Sequence, residues 1–190
     1  MKNILITGGA GGIGIEIVHY FENKNYNVII LDKTLKKDFK KNYKKIKKNI
    51  FYFEVDLLES KKTEKKIQQI ISKFKTIDIL INCAGIQYIS EIENFPTNEW
   101  RKVIDINLTS SFITSKNIIP VMKKNNSGRI INISSVHGLV ASENKSAYVA
   151  SKHGLIGLTK AIALELSKTK ITCNAISPGW VLTPLVEKQI

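Results

Sequence analysis

This sequence predicts a doubly wound α/β fold, a parallel sheet with helices on both faces, and three observations predict it. Six short apolar runs rich in isoleucine and valine alternate with longer segments of helical spacing. The first run ends in a glycine-rich turn, TGGAGGIG, that opens a helical segment. The second run ends in an acid, Asp32, eighteen residues beyond Gly14. Alternation of this kind makes neighbouring strands parallel, because each helix carries the chain back before the next strand begins.

The strand candidates in order are residues 3–7, 27–31, 50–55, 77–82, 128–134 and 170–177. Each is short and apolar, as a strand covered on both faces should be. Helical spacing runs through residues 13–24, the lysine run at 33–49, and residues 61–75, 98–124 and 146–168, with Thr97 and Ser146 as N-cap candidates. No repeat, linker or shift of composition divides the chain, so residues 1–190 are expected to form a single dinucleotide-binding domain. At 43% hydrophobic residues this length can bury a continuous core without disulfides, and the two cysteines, Cys83 and Cys173, make no metal-ligand spacing. No metal is expected. The short apolar N-terminus matches neither a signal peptide nor a membrane span, so the chain is expected to be soluble and cytoplasmic, with no membrane partner.

The net charge of +13 raises the question of nucleic acid. Most of the excess lies in KTLKKDFKKNYKKIKKN, which has no stacking pattern or nucleic-acid motif around it and reads as a solvated helix and loop. No nucleic-acid partner is expected.

The glycine-rich turn is a candidate phosphate cradle. Gly8, Gly12 and Gly14 allow a sharp turn, close approach of a pyrophosphate and packing of helix on strand, while free amides at the helix start meet the anion. Asp32 can accept hydrogen bonds from the adenine ribose hydroxyls and repel a 2′-phosphate, which favours NAD over NADP; alternatively it opens the following turn, and Lys33 beside it points the other way. Asp56 and Leu57 fall after the third strand, where an adenine ring would lie. Asn82, Ala84 and Gly85 follow the fourth, where small residues let a cofactor approach the backbone.

Tyr148 and Lys152 are four residues apart and share a helix face. A nearby ammonium and a positive nicotinamide ring both favour phenolate, so the tyrosine's pKa is expected to fall by several units and let it act as a base. Ser135, thirteen residues earlier at the end of the fifth strand, can hydrogen-bond a substrate oxygen that gains charge. The pair Tyr148 and Lys152 also fits a plain amphipathic face, and Ser135 a loop cap.

TGGAGGIG, NCAG, INL around Asn107, ISS ending at Ser135, YVASK and PGWVLTP occur in the order found in short-chain dehydrogenases/reductases, and the chain resembles that family from end to end. The resemblance implies a Rossmann fold, an oxidoreductase and the catalytic set Asn107, Ser135, Tyr148 and Lys152, with Asn107 holding a water that links Lys152 to solvent. It implies cofactor contacts from Thr7, Ile13, Tyr148, Lys152, Pro178, Gly179, Val181 and Thr183 in addition to those above. Cys83 departs from the pattern, which has a second asparagine there; a small side chain still fits such a turn.

GIQ, SVHGLVAS, NKSAYVASKHG and PGWVLTPLVEKQI are similar to the 3-hydroxybutyrate dehydrogenase branch. That likeness implies NAD-dependent oxidation of D-3-hydroxybutyrate to acetoacetate, with Gln87, His137, Lys145 and Gln189 on the carboxylate and Trp180 on the methyl end. Each of these also has a bland reading as a surface or loop residue. The family pattern continues past Gln189 through a helix and a seventh strand, so the resemblance implies a chain shortened at its C-terminus, with the strand near 171–176 left as an edge and the expected homo-oligomer lacking part of its interface. Two alternatives stay open: a truncated remnant or NAD-binding module without turnover, and another family enzyme such as a 3-oxoacyl carrier-protein reductase.

Overall fold

A computed structural model describes residues 1–35, 37–39, 43 and 46–183. All six predicted strands form: β1 (Lys2–Thr7), β2 (Tyr26–Asp32), β3 (Ile50–Glu54), β4 (Ile79–Asn82), β5 (Gly128–Ile133) and β6 (Ile171–Ile176). They make one parallel sheet in the order β3-β2-β1-β4-β5-β6. The order reverses between β1 and β4, so their C-terminal ends open a crevice where loops diverge to opposite sides.

Register explains the two-faced core. Phe51, Ile29, Leu5, Leu80, Ile130 and Cys173 line up across the six strands. They pack in one cluster with Ile67 and Ile70 of α2 (Ser60–Phe74), Ile113, Ile118 and Met122 of α4 (Ser110–Lys124), and Ile162 of α5 (Ser146–Glu165). One residue further along, Tyr52, Ile30, Ile6, Ile81 and Ile131 point to the opposite face, where Val18 of α1 (Gly12–Glu22), Phe39 and Tyr43 cover them. The strict period of two, with apolar residues on both phases, is why these runs read as buried parallel strands.

Two expectations about the helices need correction. The predicted helix over 98–124 is α3 (Thr97–Ile104) and α4 joined by a π-helical turn at Asp105–Thr109, in which the Ser110 N–H reaches the Asp105 carbonyl. One widened turn barely alters hydrophobic spacing, so periodicity does not reveal it. Thr97 and Ser146 are not N-caps: each is the first helical residue, behind Pro96 and Lys145, and neither of those caps with its side chain. The Ser146 hydroxyl is buried without a hydrogen-bond partner. The lysine run and Gln189 fall partly or wholly outside the described residues. Among the described residues no helix is long and apolar enough to cross a membrane.

Candidate active site

A cavity of about 540 Å³ opens at the topological switch, in the size range of small-molecule sites. Its floor is the glycine-rich turn. Gly8 adopts φ +67°, and a Cβ there would lie 2.7 Å from Ala84 Cα, so both the backbone conformation and the packing exclude a side chain. A Cβ on Gly14 would collide with the Gly8 carbonyl oxygen. The first turn of α1 holds no acidic residue, so its amides keep their positive potential toward the cavity.

Asp32 sits at the cavity wall, almost buried. Its two oxygens accept from different loops: Oδ2 from the Ala10 N–H at 3.0 Å and Oδ1 from the Thr34 N–H at 2.9 Å. Asp32 thus opens the turn, as one of the two readings expects, and it also lines the pocket. Asp56 and Leu57 line it too, with Asp56 Oδ1 accepting from the Leu58 N–H at 3.0 Å. Ile13, Ala84 and Gly85 complete the near wall and Thr183 the far one. The glycine cradle, the helix start and the buried carboxylate together fit a dinucleotide.

Other predicted cofactor residues lie elsewhere. Thr7 is behind the wall, where its Oγ1 accepts from the Cys83 and Ala84 N–H groups at 3.1 and 3.2 Å and holds the β4 turn against β1. The Asn82 side chain joins a buried network, donating to Asn132 Oδ1 at 2.8 Å and accepting from Thr114 Oγ1 at 2.6 Å, so that any approach of a cofactor to this stretch is to its backbone, as expected. Strand alternation turns the side chain into the sheet's helix-covered face. Pro178 accepts from the Val136 N–H at 2.9 Å, and Gly179 and Val181 are exposed rather than in the cavity wall.

Tyr148 and Lys152 both line the cavity from α5. Lys152 is 3% exposed, donates from Nζ to the Ile133 carbonyl at 2.8 Å and stands 5.6 Å from the Tyr148 ring centre. Burial lowers its pKa from 10.5 to about 8. In the chain by itself burial raises the Tyr148 phenol's pKa, and its hydrogen bond with Ser135 lowers it only in part, whereas the expected fall counts a bound nicotinamide as well. The expected fall counted positive charge and omitted the desolvation of a phenolate inside the protein. Ser135 Oγ also accepts from the His137 N–H at 3.1 Å. The Cys83 thiol, at the same wall, is pushed up to about 11 by burial and stays protonated at neutral pH.

Asn107 sits in the π-helical turn, fully buried. Its Nδ2 donates to the Ile86 carbonyl at 3.0 Å and to Ser151 Oγ at 2.9 Å, and its Oδ1 accepts from the Ile86 N–H at 2.8 Å. Both donors are spent on bracing the β4 loop against α5, which leaves one Oδ1 lone pair for a relay water.

The predicted substrate residues converge in part. The His137 ring lies edge-on to Tyr148 at 6.0 Å, and its pKa is lowered by burial and then by the Lys145 ammonium. Lys145, 9% exposed, places Nζ 5.1 Å from the centre of the Trp180 ring. Gln87 is half-buried in the β4 loop, and Gln189 is outside the described residues. The contributions missed in the sequence are chiefly backbone ones, the amides of Ala10 and Thr34 and both polar groups of the Ile86 main chain. Ser151, inside YVASK, and Ser134, inside ISS, had side chains that could have drawn notice.

Comparison with known proteins agrees with this geometry. The profile of the short chain dehydrogenase family matches residues 2–190. The chain is 44% identical to a D-beta-hydroxybutyrate dehydrogenase of Cupriavidus necator, spanning all of this chain and 74% of that protein. It is 40% identical to a 3-oxoacyl-[acyl-carrier-protein] reductase of Buchnera aphidicola subsp. Schizaphis graminum, spanning 98% of this chain and 76% of the relative. Among solved structures, 4-hydroxyisoleucine dehydrogenase complexed with NADH superposes with a TM-score of 0.92 at 38% identity, over 99% of this chain and 77% of the other. ElxO with NADP bound superposes with a TM-score of 0.90 at 32% identity, over 100% and 77%.

Proposed function

The chain belongs to the short chain dehydrogenase family, and from that premise we propose that it is an NAD-dependent oxidoreductase of a small 3-hydroxy acid, D-3-hydroxybutyrate being the substrate. In this reading residues 1–190 are one dinucleotide-binding domain working in the cytoplasm, where Cys83 and Cys173 stay reduced. The nicotinamide, when bound, supplies the hydride acceptor. Gly8, Gly12 and Gly14 let the backbone approach the pyrophosphate, and Asp32 meets the adenine ribose and disfavours a 2′-phosphate.

Tyr148 takes the substrate hydroxyl proton. Burial keeps that phenol protonated in the chain by itself, so abstraction needs positive charge nearby, and Lys152, still largely ammonium at neutral pH, supplies part of it. Ser135 donates to the substrate oxygen as it becomes a carbonyl. Asn107 braces α5 against the β4 loop and fixes the distance between them.

The observation that carries the substrate assignment is Lys145, an ammonium almost buried beside His137, one ring away from Tyr148. An ammonium beside the His137–Tyr148 pair can meet a substrate carboxylate, with His137 and Gln87 as further donors. The Buchnera relative favours a second reading, reduction of a carrier-bound 3-oxoacyl group, but a thioester offers Lys145 no carboxylate.

The test follows absorbance at 340 nm with D-3-hydroxybutyrate and either NAD or NADP, beside Tyr148→Phe. Turnover with NAD that falls about 10³-fold in the variant supports the proposal. Turnover of a 3-oxoacyl thioester without hydroxybutyrate oxidation would move the assignment to the reductase. Cofactor binding without turnover of either would leave a dinucleotide-binding module.

A further inference from the structure

We propose that Tyr52 is a positioning residue for the adenosine end of the cofactor, acting through Thr34 on Asp32. The inference rests on the reading that Asp32 meets the adenine ribose, and it adds a residue from β3, which carries none of the expected site residues.

Tyr52 stands beside Ile30 of β2 in the sheet register, on the face covered by α1. Its ring stacks on Phe39 with centroids 4.5 Å apart, which fixes the direction of the phenol. That phenol donates to the Thr34 carbonyl at 2.6 Å. The N–H of the same residue donates to Asp32 Oδ1 at 2.9 Å. Asp32 Oδ2 accepts in turn from Ala10, two residues past Gly8 in the glycine-rich turn. A line of three hydrogen bonds therefore runs from β3 through the β2 loop to the phosphate loop of β1.

Thr34, Asp32 and Ala10 line the cavity, whereas Tyr52 does not, so its influence on a cofactor passes through the two peptide groups of Thr34. A short surface loop held at only one of those groups could swing, and the Asp32 carboxylate would then lose one of the two donors that orient it. Burial first, and the Asp32 carboxylate second, push the Tyr52 phenol far above its ordinary pKa, so it remains a donor across the physiological range. The catalytic side chains approach from β5 and α5, across the sheet, and stand outside this line of bonds.

Tyr52→Phe removes one oxygen and keeps the ring. Calorimetric titration with NAD should show the dissociation constant rising about tenfold, the loss expected for one buried hydrogen bond. The KM for NAD should rise alongside it while kcat at saturating NAD stays within about twofold, and the preference for NAD over NADP should shrink. The same change made on an Asp32→Ala background should have no further effect, because the two act in series. Unchanged NAD affinity, with only a lower melting temperature, overturns the inference and leaves Tyr52 as packing. An additive effect on the Asp32→Ala background also overturns it. If Asp32→Ala alone leaves both NAD affinity and the NAD:NADP ratio untouched, the underlying reading of Asp32 has failed, whatever Tyr52→Phe does.

Discussion

Lys152 and Asn107 are 3% and 0% exposed, whereas Trp180, Leu139 and Val140, on loops leaving the same edge of the sheet, are 70%, 64% and 54% exposed. The difference is one of bonding as well as depth. Asn107 has three hydrogen bonds into two other elements and Lys152 is tied to the end of β5, so moving either side chain breaks buried polar contacts. The Trp180 ring meets a lysine and otherwise faces outward. A centre built in this way has one geometry and suits one kind of chemistry, while a rim on exposed loops can change its side chains at little cost to the fold. Asn107 and Lys152, both within family motifs, are therefore held by the core, while the proposed substrate contacts run from the nearly buried Lys145 to the exposed Trp180.

The buried half of this comparison can be broken by titration. Lys152 releases its proton near pH 8 in the folded chain and at about 10.5 when unfolded, so between those values the unfolded state binds more protons and stability rises with pH. Below pH 8 both states are protonated and the slope vanishes. Between pH 7 and 9.5 the native chain should gain about 2 kcal/mol relative to Lys152→Met, read from denaturant midpoints of both proteins at each pH. Cys83 and Cys173, raised from 9.0 to about 11, and Tyr148 at higher pH bring slopes of the opposite sign, which is why the gain is read as a difference from Lys152→Met. Equal slopes for the two proteins would mean that Lys152 is hydrated and that the centre is not sealed.

The same division explains what could be read in the sequence. β1, β2 and β4 were legible because parallel strands buried on both faces demand nearly unbroken apolar runs, whereas β6, at the sheet edge with Thr172, Asn174 and Ile176 exposed, has a mixed run. Gly8, Gly14, Asp32, Tyr148 and Lys152 were legible because the roles proposed for them fall to side chains, or to the lack of one, and all five line the cavity. The π-helical turn at Asn107 was not, since it arises from one shifted backbone hydrogen bond and leaves the apolar spacing almost intact. The partners of the Asn82 amide were hidden for a related reason: the motif located it at the strand end, but only the pleat decides which face its amide takes, and that face holds Thr114 and Asn132. The amides of Ala10 and Thr34 carry no residue-type signal at all, so the orientation of Asp32 had to await coordinates.

For the proposed substrate contacts the expected effects are smaller and fall on substrate alone. Lys145→Ala should raise the KM for 3-hydroxybutyrate about tenfold, the worth of a charged hydrogen bond, and leave the KM for NAD unchanged. An equal rise in both would locate Lys145 in the scaffold of the site and erase the boundary drawn above. Trp180→Ala tests the outermost contact. At 70% exposure the indole has little burial to lose, and its expected partner is a single substrate methyl, worth about 0.8 kcal/mol or roughly a fourfold rise in KM with kcat unaltered. Steady-state kinetics resolves a change of that size. A far larger rise, or a fall in kcat, would mean that the ring closes over the substrate during turnover, and the rim would then belong with the catalytic centre.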